Sequence, residues 1–327
     1  MADAAADPLL AVVAPPRRAR FRELAGLAED EPVSADFTGW SKRVLLTHDR
    51  AFLFPRDHTQ VTYLEREVEA LRAIADLGLR EVPRLIDVWD DPSVSAYPVA
   101  VVSRLPGASL DDRIAGLTAD ELGGVLEQLA QLAARWHEAD PGPLAARPAR
   151  THPPQAMVDA LLGANGAAAP VDEVVEDIAG RLSLDAAARG RLAEVLHEAR
   201  GLPLVLVHGD IHEGQVLVDA DLRVTGVFDW QTARVSHPFT EFDLGEWGTG
   251  TWRHHRASFP GLRRRQWDAY ATERGLPDDL GWCFDVFWAI VHALRWPESP
   301  FAGSDVTGPR EEAMATARRA LHARSSE

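Results

Sequence analysis

The sequence predicts an α+β fold in two lobes, a small β-rich lobe followed by a larger, mostly helical one. Three observations predict it. Between residues 35 and 102, short apolar runs bounded by Gly, Pro and Asp alternate with a single helical stretch. After residue 118, longer stretches with apolar residues three and four apart dominate. Between those helical stretches lies LVLVHGDIHEGQVLVDADLRVTGVFDW, residues 204–230, where three strand-like runs deliver polar residues into loops.

In chain order, residues 1–32 are rich in Ala and Pro, with a basic cluster at Arg17, Arg18 and Arg20. They read as a loose leader with one helix around Phe21 to Leu27. Strands are expected over residues 43–47 and 51–55, joined by a turn at His48, Asp49 and Arg50. A helix over 62–77 puts Leu64, Val68, Leu71, Ile74 and Ala75 at helical spacing. Val82-Pro83 ends it, and two more strands follow over 85–88 and 99–102. The small lobe therefore takes residues 33–103 and the large one 104–327. Thr118 and Glu121 have the spacing at which a hydroxyl and a carboxylate cap each other's backbone N–H, opening a helix to about Ala139. Residues 141–156 carry several Pro and Gly and are expected to be loop. Helical patterns cover 171–182 and 184–200, then 263–275, 278–295 and 309–325.

Composition narrows the function classes. The 327 residues suffice for two cores, and 46% hydrophobic with 26% charged residues is ordinary for a globular protein. A net charge of −16 argues against nucleic acid as a partner. A single cysteine, Cys283, allows no internal disulfide and suits a reducing compartment. Acidic residues precede the short apolar run near the N-terminus, the wrong order for a signal peptide, and no segment approaches a membrane span. The expectation is a cytoplasmic protein with no membrane partner. Its oligomeric state is not set by the sequence.

The chemistry concentrates in 204–230. Two strand-like runs end on carboxylates, Asp210 and Asp229, and Gln215 lies five residues after the first. Asp and Gln oxygens brought together on loops suit a hard divalent ion. H-G-D-x-x-x-x-Q followed by F-D-W resembles the catalytic and metal-binding loops of the aminoglycoside phosphotransferase family, which has a bilobal, protein-kinase-like fold. The resemblance implies that Asp210 is the catalytic base and that Gln215 and Asp229 hold Mg²⁺. It implies ATP or GTP as phosphate donor and a hydroxyl of a small molecule as acceptor. Most of the family has Asn at Gln215. The form HGD-x-H-x-GQ is more similar to bacterial maltokinases, while VTG-x-x-DW-x-x-A-x-V is similar to macrolide phosphotransferases, and the family's G-D-P reads Ser236-His237-Pro238. An amino sugar or aminoglycoside, a neutral sugar and a macrolide all remain open as acceptor. The resemblance also places Ser41 and Lys42 at a phosphate-covering loop, Glu67 on the helix that pairs with a phosphate-binding cation, and Val102 and Ser103 at the hinge. Glu241, Asp243 and Trp247 fall near the acceptor, although Asp243 has a second reading as a brace of the catalytic loop. His208 reads as structural, and so does His212, which also has a substrate-contact reading by position.

One departure stands out. The family's second hairpin strand commonly reads like F-R-F-P-R, whereas this chain has Phe52-Leu53-Phe54-Pro55-Arg56. Leucine cannot neutralise phosphate. Lys42, the only lysine in the chain, is one replacement, paired with Glu67; its other reading is a solvated surface residue. Arg56 is a second candidate, though three residues along a strand it faces away from position 53. Two other function classes stay open: a catalytically weak kinase-like module, suggested by Leu53 and Gln215, and a metallohydrolase using His208, Asp210 and His212.

Overall fold

Five antiparallel strands, in the order β1-β2-β3-β5-β4, form the N-terminal sheet: β1 (Ser34–Asp36), β2 (Lys42–Leu46), β3 (Arg50–Pro55), β4 (Leu85–Trp89) and β5 (Val99–Ser103). The computed structural model describes residues 12–37, 39–146, 153–164, 169–242, 250–255, 257–295 and 307–322. The β2–β3 hairpin pairs Lys42 with Pro55, Val44 with Leu53 and Leu46 with Ala51. Strand β3 is buried on both faces. Ala51 and Leu53 face a core shared with Leu64, Val68 and Leu71 of α2 (Val61–Ile74). Phe52 and Phe54 alternate to the other face.

That second face is covered by α1 (Arg18–Ala25), in the segment expected to be a loose leader. Phe21 is fully buried there, its ring 5.1 Å from Phe52 and 5.9 Å from Trp89 in edge-on contacts. A helix is expected here, over Phe21 to Leu27; the Ala/Pro composition hid its docking on the sheet, because one large aromatic carries most of its anchoring.

The C-terminal lobe is built on α3 (Ala119–Trp136), whose Thr118–Glu121 capping box forms as expected. Helices α5 (Val171–Leu182) and α6 (Ala186–Arg200) lie close to expectation, as do α8 (Phe259–Arg274), α9 (Leu280–Arg295) and α10 (Thr307–His322); the short α7 (Gly250–His255) precedes α8. Helix α4 (Pro153–Leu162) occupies part of the stretch expected to be loop. Proline is tolerated in a first helical turn, where its missing N–H would be unpaired anyway, so Pro153-Pro154 begins a helix instead of breaking one. Phe239, Trp267 and Phe284 form an aromatic core, with Trp267 stacked on Phe284 at 4.8 Å.

Two small sheets lie against these helices. Strand β6 (Ala108–Ser109) pairs with β8 (Val216–Val218), which pairs with β9 (Val224–Val227). Strand β7 (Val205–Val207) pairs with β10 (Arg234–Ser236), a strand too short for its periodicity to announce it. Beyond the chain connection after β5, several bonds link the N-terminal sheet and α2 to the helical part, two of them to backbone carbonyls. Val227 N–H donates to the Glu81 carbonyl at 2.7 Å, and the Arg66 guanidinium donates to the Ala233 carbonyl at 3.3 Å. Among the described residues no helix is long and apolar enough to cross a membrane.

Candidate active site

The apolar strand β7 is fully buried and ends where the chain turns sharply. Gly209 has φ +85, a conformation open to glycine, and a Cβ there would lie 2.2 Å from Arg234 Nη1 and 2.7 Å from the Thr232 carbonyl. The turn lifts Asp210 into solvent. Its Oδ2 accepts a bond from Gln215 Nε2 at 3.2 Å, while Gln215 Oε1 accepts the His212 N–H at 3.2 Å. These two neighbours fix the carboxamide's orientation, since a carboxylate only accepts and an N–H only donates. Gln215 Oε1 thus retains one lone pair.

The loop is braced from below. Glu241, 3% exposed, accepts the backbone N–H of His208 at 2.9 Å, His137 Nε2 at 3.1 Å and the Trp136 indole at 3.4 Å. Burial works against its charge, but these donors and their partial charges hold its carboxyl below the ordinary range. His137 Nδ1 then accepts from the Tyr270 hydroxyl at 2.9 Å, and burial keeps that imidazole neutral. His208 Nε2 meets the Phe228 carbonyl at 2.9 Å, with its ring edge-on to Trp230 at 4.7 Å.

Strand β9 delivers Asp229 in a left-handed conformation, φ 70 and ψ 57, which Asp adopts at a cost and which clusters at functional sites. Its Oδ1 accepts from Lys42 Nζ at 2.7 Å, and its Oδ2 accepts from Gln231 Nε2 at 3.3 Å. Lys42 also pairs with the Glu67 carboxylate of α2. Burial alone would lower the Lys42 pKa, but the attraction of Glu67 and Asp229 outweighs it and raises the value. Gln231 Oε1 in turn accepts the Ser41 hydroxyl at 2.5 Å. Five residues from both lobes thus form one polar chain: Ser41, Gln231, Asp229, Lys42 and Glu67. A cation already rests on Asp229, and Gln215 has an oxygen lone pair to spare. The donors fit a hard divalent ion.

The family model described as "Phosphotransferase enzyme family" matches residues 32–282, well over half of the chain. The chain belongs to this family. Among solved structures it is similar to the GDP complex of wild-type aminoglycoside 2'-phosphotransferase-IIIa, at 17% identity and TM-score 0.52, covering 95% of this chain and 99% of that one. It is also similar to ADP-bound aminoglycoside phosphotransferase APH(2'')-Ib, at 12% identity and TM-score 0.50, covering 94% and 97%. At these identities the likeness is one of fold, bilobal and protein-kinase-like. A segment of 39 residues is 46% identical to the uncharacterized protein YcbJ of Bacillus subtilis (strain 168); it covers 12% of this chain and only 13% of that relative.

Within the family frame, the site residues sort as follows. Lys42 and Glu67 form the pair expected of them, and Lys42 is 7% exposed, not solvated. Arg56 does not enter the cleft: its guanidinium donates to the carbonyls of Phe37 at 2.5 Å and Gly39 at 2.7 Å, propping the β1–β2 loop from outside. Leu53, at 6% exposure, belongs to the core under α2. Val102 is buried in β5, while the Ser103 hydroxyl, at the end of that strand, accepts the Arg84 N–H at 2.9 Å. Glu241, expected beside the acceptor, is a buried brace of β7 instead, because its oxygens are consumed by three donors. Asp243 and Trp247 lie outside the described residues. His212 Nδ1 accepts the Gly214 N–H at 3.1 Å. Nothing described favours the hydrolase reading: His208 Nε2 meets the Phe228 carbonyl, and among the described residues no three His, Cys, Asp or Glu are placed to hold a metal. Sequence reasoning missed Gln231, although it stands two positions after Asp229. It also missed His137, which no local pattern could have revealed.

Proposed function

We propose that this protein transfers the γ-phosphate of a nucleoside triphosphate to a hydroxyl of a small-molecule acceptor. The observation that carries the reading is the chain Glu67–Lys42–Asp229, a buried cation held between one carboxylate from each lobe, in a member of the phosphotransferase family. Lys42 faces the cleft that a nucleotide's phosphates would enter, and supplies the positive charge that Leu53 lacks. Asp210, exposed at the end of its turn, orients the acceptor hydroxyl in line and takes its proton late in the transfer. Gln215 donates to the carboxylate's far oxygen and so fixes its plane. Ser41 and the loop propped by Arg56 cover the phosphates, and Ser103 and Val102 border the base of the nucleotide. Asp229 and Gln215 are the residues that would hold Mg²⁺, which neutralises charge on the phosphate oxygens when bound. Catalysis on this reading rests on positioning and charge neutralisation.

The acceptor is an amino sugar or aminoglycoside, with a neutral sugar or macrolide as the other candidates. A net charge of −16 supports an amino-bearing molecule, and one solved relative is a GDP and kanamycin complex. A cytosolic setting, where nucleoside triphosphates are available, accords with the single cysteine. The burial of Leu53 favours a second reading, a kinase-like module that binds nucleotide but turns over slowly.

Thermal shift with ATP and with GTP, each with and without Mg²⁺, tests the donor site beside Asp229→Asn. Mg²⁺-dependent stabilisation that disappears in the variant supports it, because a ligand that binds only the folded state raises its stability. No shift with either nucleotide would overturn it.

A further inference from the structure

Gln231 is 2% exposed, and both ends of its carboxamide are used. A carboxylate only accepts, so the NH₂ must face Asp229 Oδ2, found at 3.3 Å. The oxygen then faces Ser41, whose hydroxyl donates at 2.5 Å. Ser41 is buried and immediately precedes β2, next to the exposed Trp40 of the β1–β2 loop, whereas Gln231 lies in the turn Trp230–Thr232 of the other lobe. One side chain therefore ties the loop to Asp229. Asp229 needs tying, because its left-handed backbone is strained and its carboxylate has two side-chain bonds, to Lys42 and to Gln231. When nucleotide phosphates draw Lys42 away, the Gln231 bond is the one that keeps the carboxylate's orientation.

We propose that Gln231 is a positioning residue for the donor site, coupling the Asp229 carboxylate to the Ser41 hydroxyl so that phosphate-covering loop and metal-holding acid keep one fixed relation. The inference rests on the reading of the site as a Mg–nucleotide site. A glutamine that merely fills polar needs at the lobe interface would affect stability and leave the metal dependence of binding alone.

The test uses Gln231→Met, Ser41→Ala and the double variant of the full chain. ADP affinity is measured by calorimetry with and without Mg²⁺, beside the melting temperature of each apo protein. In Gln231→Met, which removes the bond to the Asp229 carboxylate, the gain in affinity that Mg²⁺ brings to ADP should fall about tenfold, the size of a lost bond to a charged group. In Ser41→Ala, which breaks only the neutral bond of the link, it should fall by less. Affinity for metal-free ADP should hold in Gln231→Met; Ser41 itself covers the phosphates, so for Ser41→Ala only the ratio of affinities with and without Mg²⁺ is compared. The double variant should be no worse than Gln231→Met, since that change already removes the whole link. Additive losses, or a Mg²⁺ gain equal to that of the wild type, overturn the inference while the donor-site reading stands. A wild-type protein with no Mg²⁺ gain overturns both. If Gln231→Met fails to fold, Ser41→Ala at the other end of the bond decides the matter.

Discussion

The ammonium of Lys42 and the carboxylate of Asp229 meet at 2.7 Å, although 187 residues separate them in the chain. On the proposed function, the contact holds the cation that stands in for the leucine in the middle of the second hairpin strand. Lys42 starts β2 opposite Pro55, and its long stem carries the charge inward to the place where α2 presents Glu67. A buried ion pair gains little net stability over an apolar pair of the same shape, because both charges are desolvated. On the proposed function its use is another: a cation held between two acids is one that an anionic ligand can recruit.

Lys42→Met should therefore cost more than its charge. Glu67 would be left buried beside Asp229 with no counter-ion, a loss of about 3–5 kcal/mol in denaturant unfolding. Adding Glu67→Gln should restore much of that stability by removing the orphan charge. It should not restore nucleotide affinity, which needs the ammonium itself. If the double variant binds Mg–ATP as the wild type does, Lys42 is not the phosphate cation.

Asp210→Asn should separate chemistry from binding. The residue is exposed and its one side-chain bond within the loop is the 3.2 Å contact to Gln215, so melting temperature should barely move. Turnover with an accepted substrate should fall by about 10² to 10⁴, the usual worth of a positioned general base. Nucleotide affinity should stay near the wild-type value. Undiminished turnover would remove Asp210 from its role.

Gly209→Ala should damage the site through the backbone. The new methyl would meet Arg234 Nη1 at 2.2 Å and the Thr232 carbonyl at 2.7 Å, and the positive φ is strained for any side chain. A loss on the order of 2 kcal/mol is expected in denaturant unfolding. Asp210 is the next residue, so turnover should fall by more than nucleotide affinity does. Equal losses in both would mean that the turn is not what aims Asp210.

Much of this was legible in the sequence. Strand runs ending on Asp210 and Asp229 announced themselves because apolar segments with polar ends have few other uses. The Lys42–Glu67 pair followed from asking where the charge missing at Leu53 had gone. What stayed hidden was the set of long-range partners. Nothing near Glu241 signals that His208, His137 and Trp136 will converge on it, and a buried carboxylate looks the same in sequence as a substrate contact. The docking of helix α1 was obscured for a related reason, since Phe21 is informative only once Phe52 and Trp89 are seen beside it.

The last expectation concerns pH and lies at His237, where the family's usual acidic residue is absent. The imidazole is completely buried; Nε2 meets the Ala199 carbonyl at 2.6 Å and Nδ1 accepts the Phe239 N–H at 3.1 Å. Both nitrogens are thereby assigned, and a second proton would break the bond to Phe239. Burial, with a smaller push from nearby His137, lowers the His237 pKa from 6.5 to about 4. Above pH 6.5 the ring is neutral in both folded and unfolded chains, and its contribution to stability is complete. Between pH 6.5 and about 4 the unfolded chain takes up a proton that the folded one refuses. Stability should fall across that window by up to about 1.4 kcal/mol per pH unit for this one group. His137, also held low by burial, adds to the slope in the same direction. Urea unfolding at a series of pH values should show the decline, and His237→Gln, although less stable throughout, should show a shallower one. A slope in the variant equal to that of the wild type would mean that His237 is not the group being titrated.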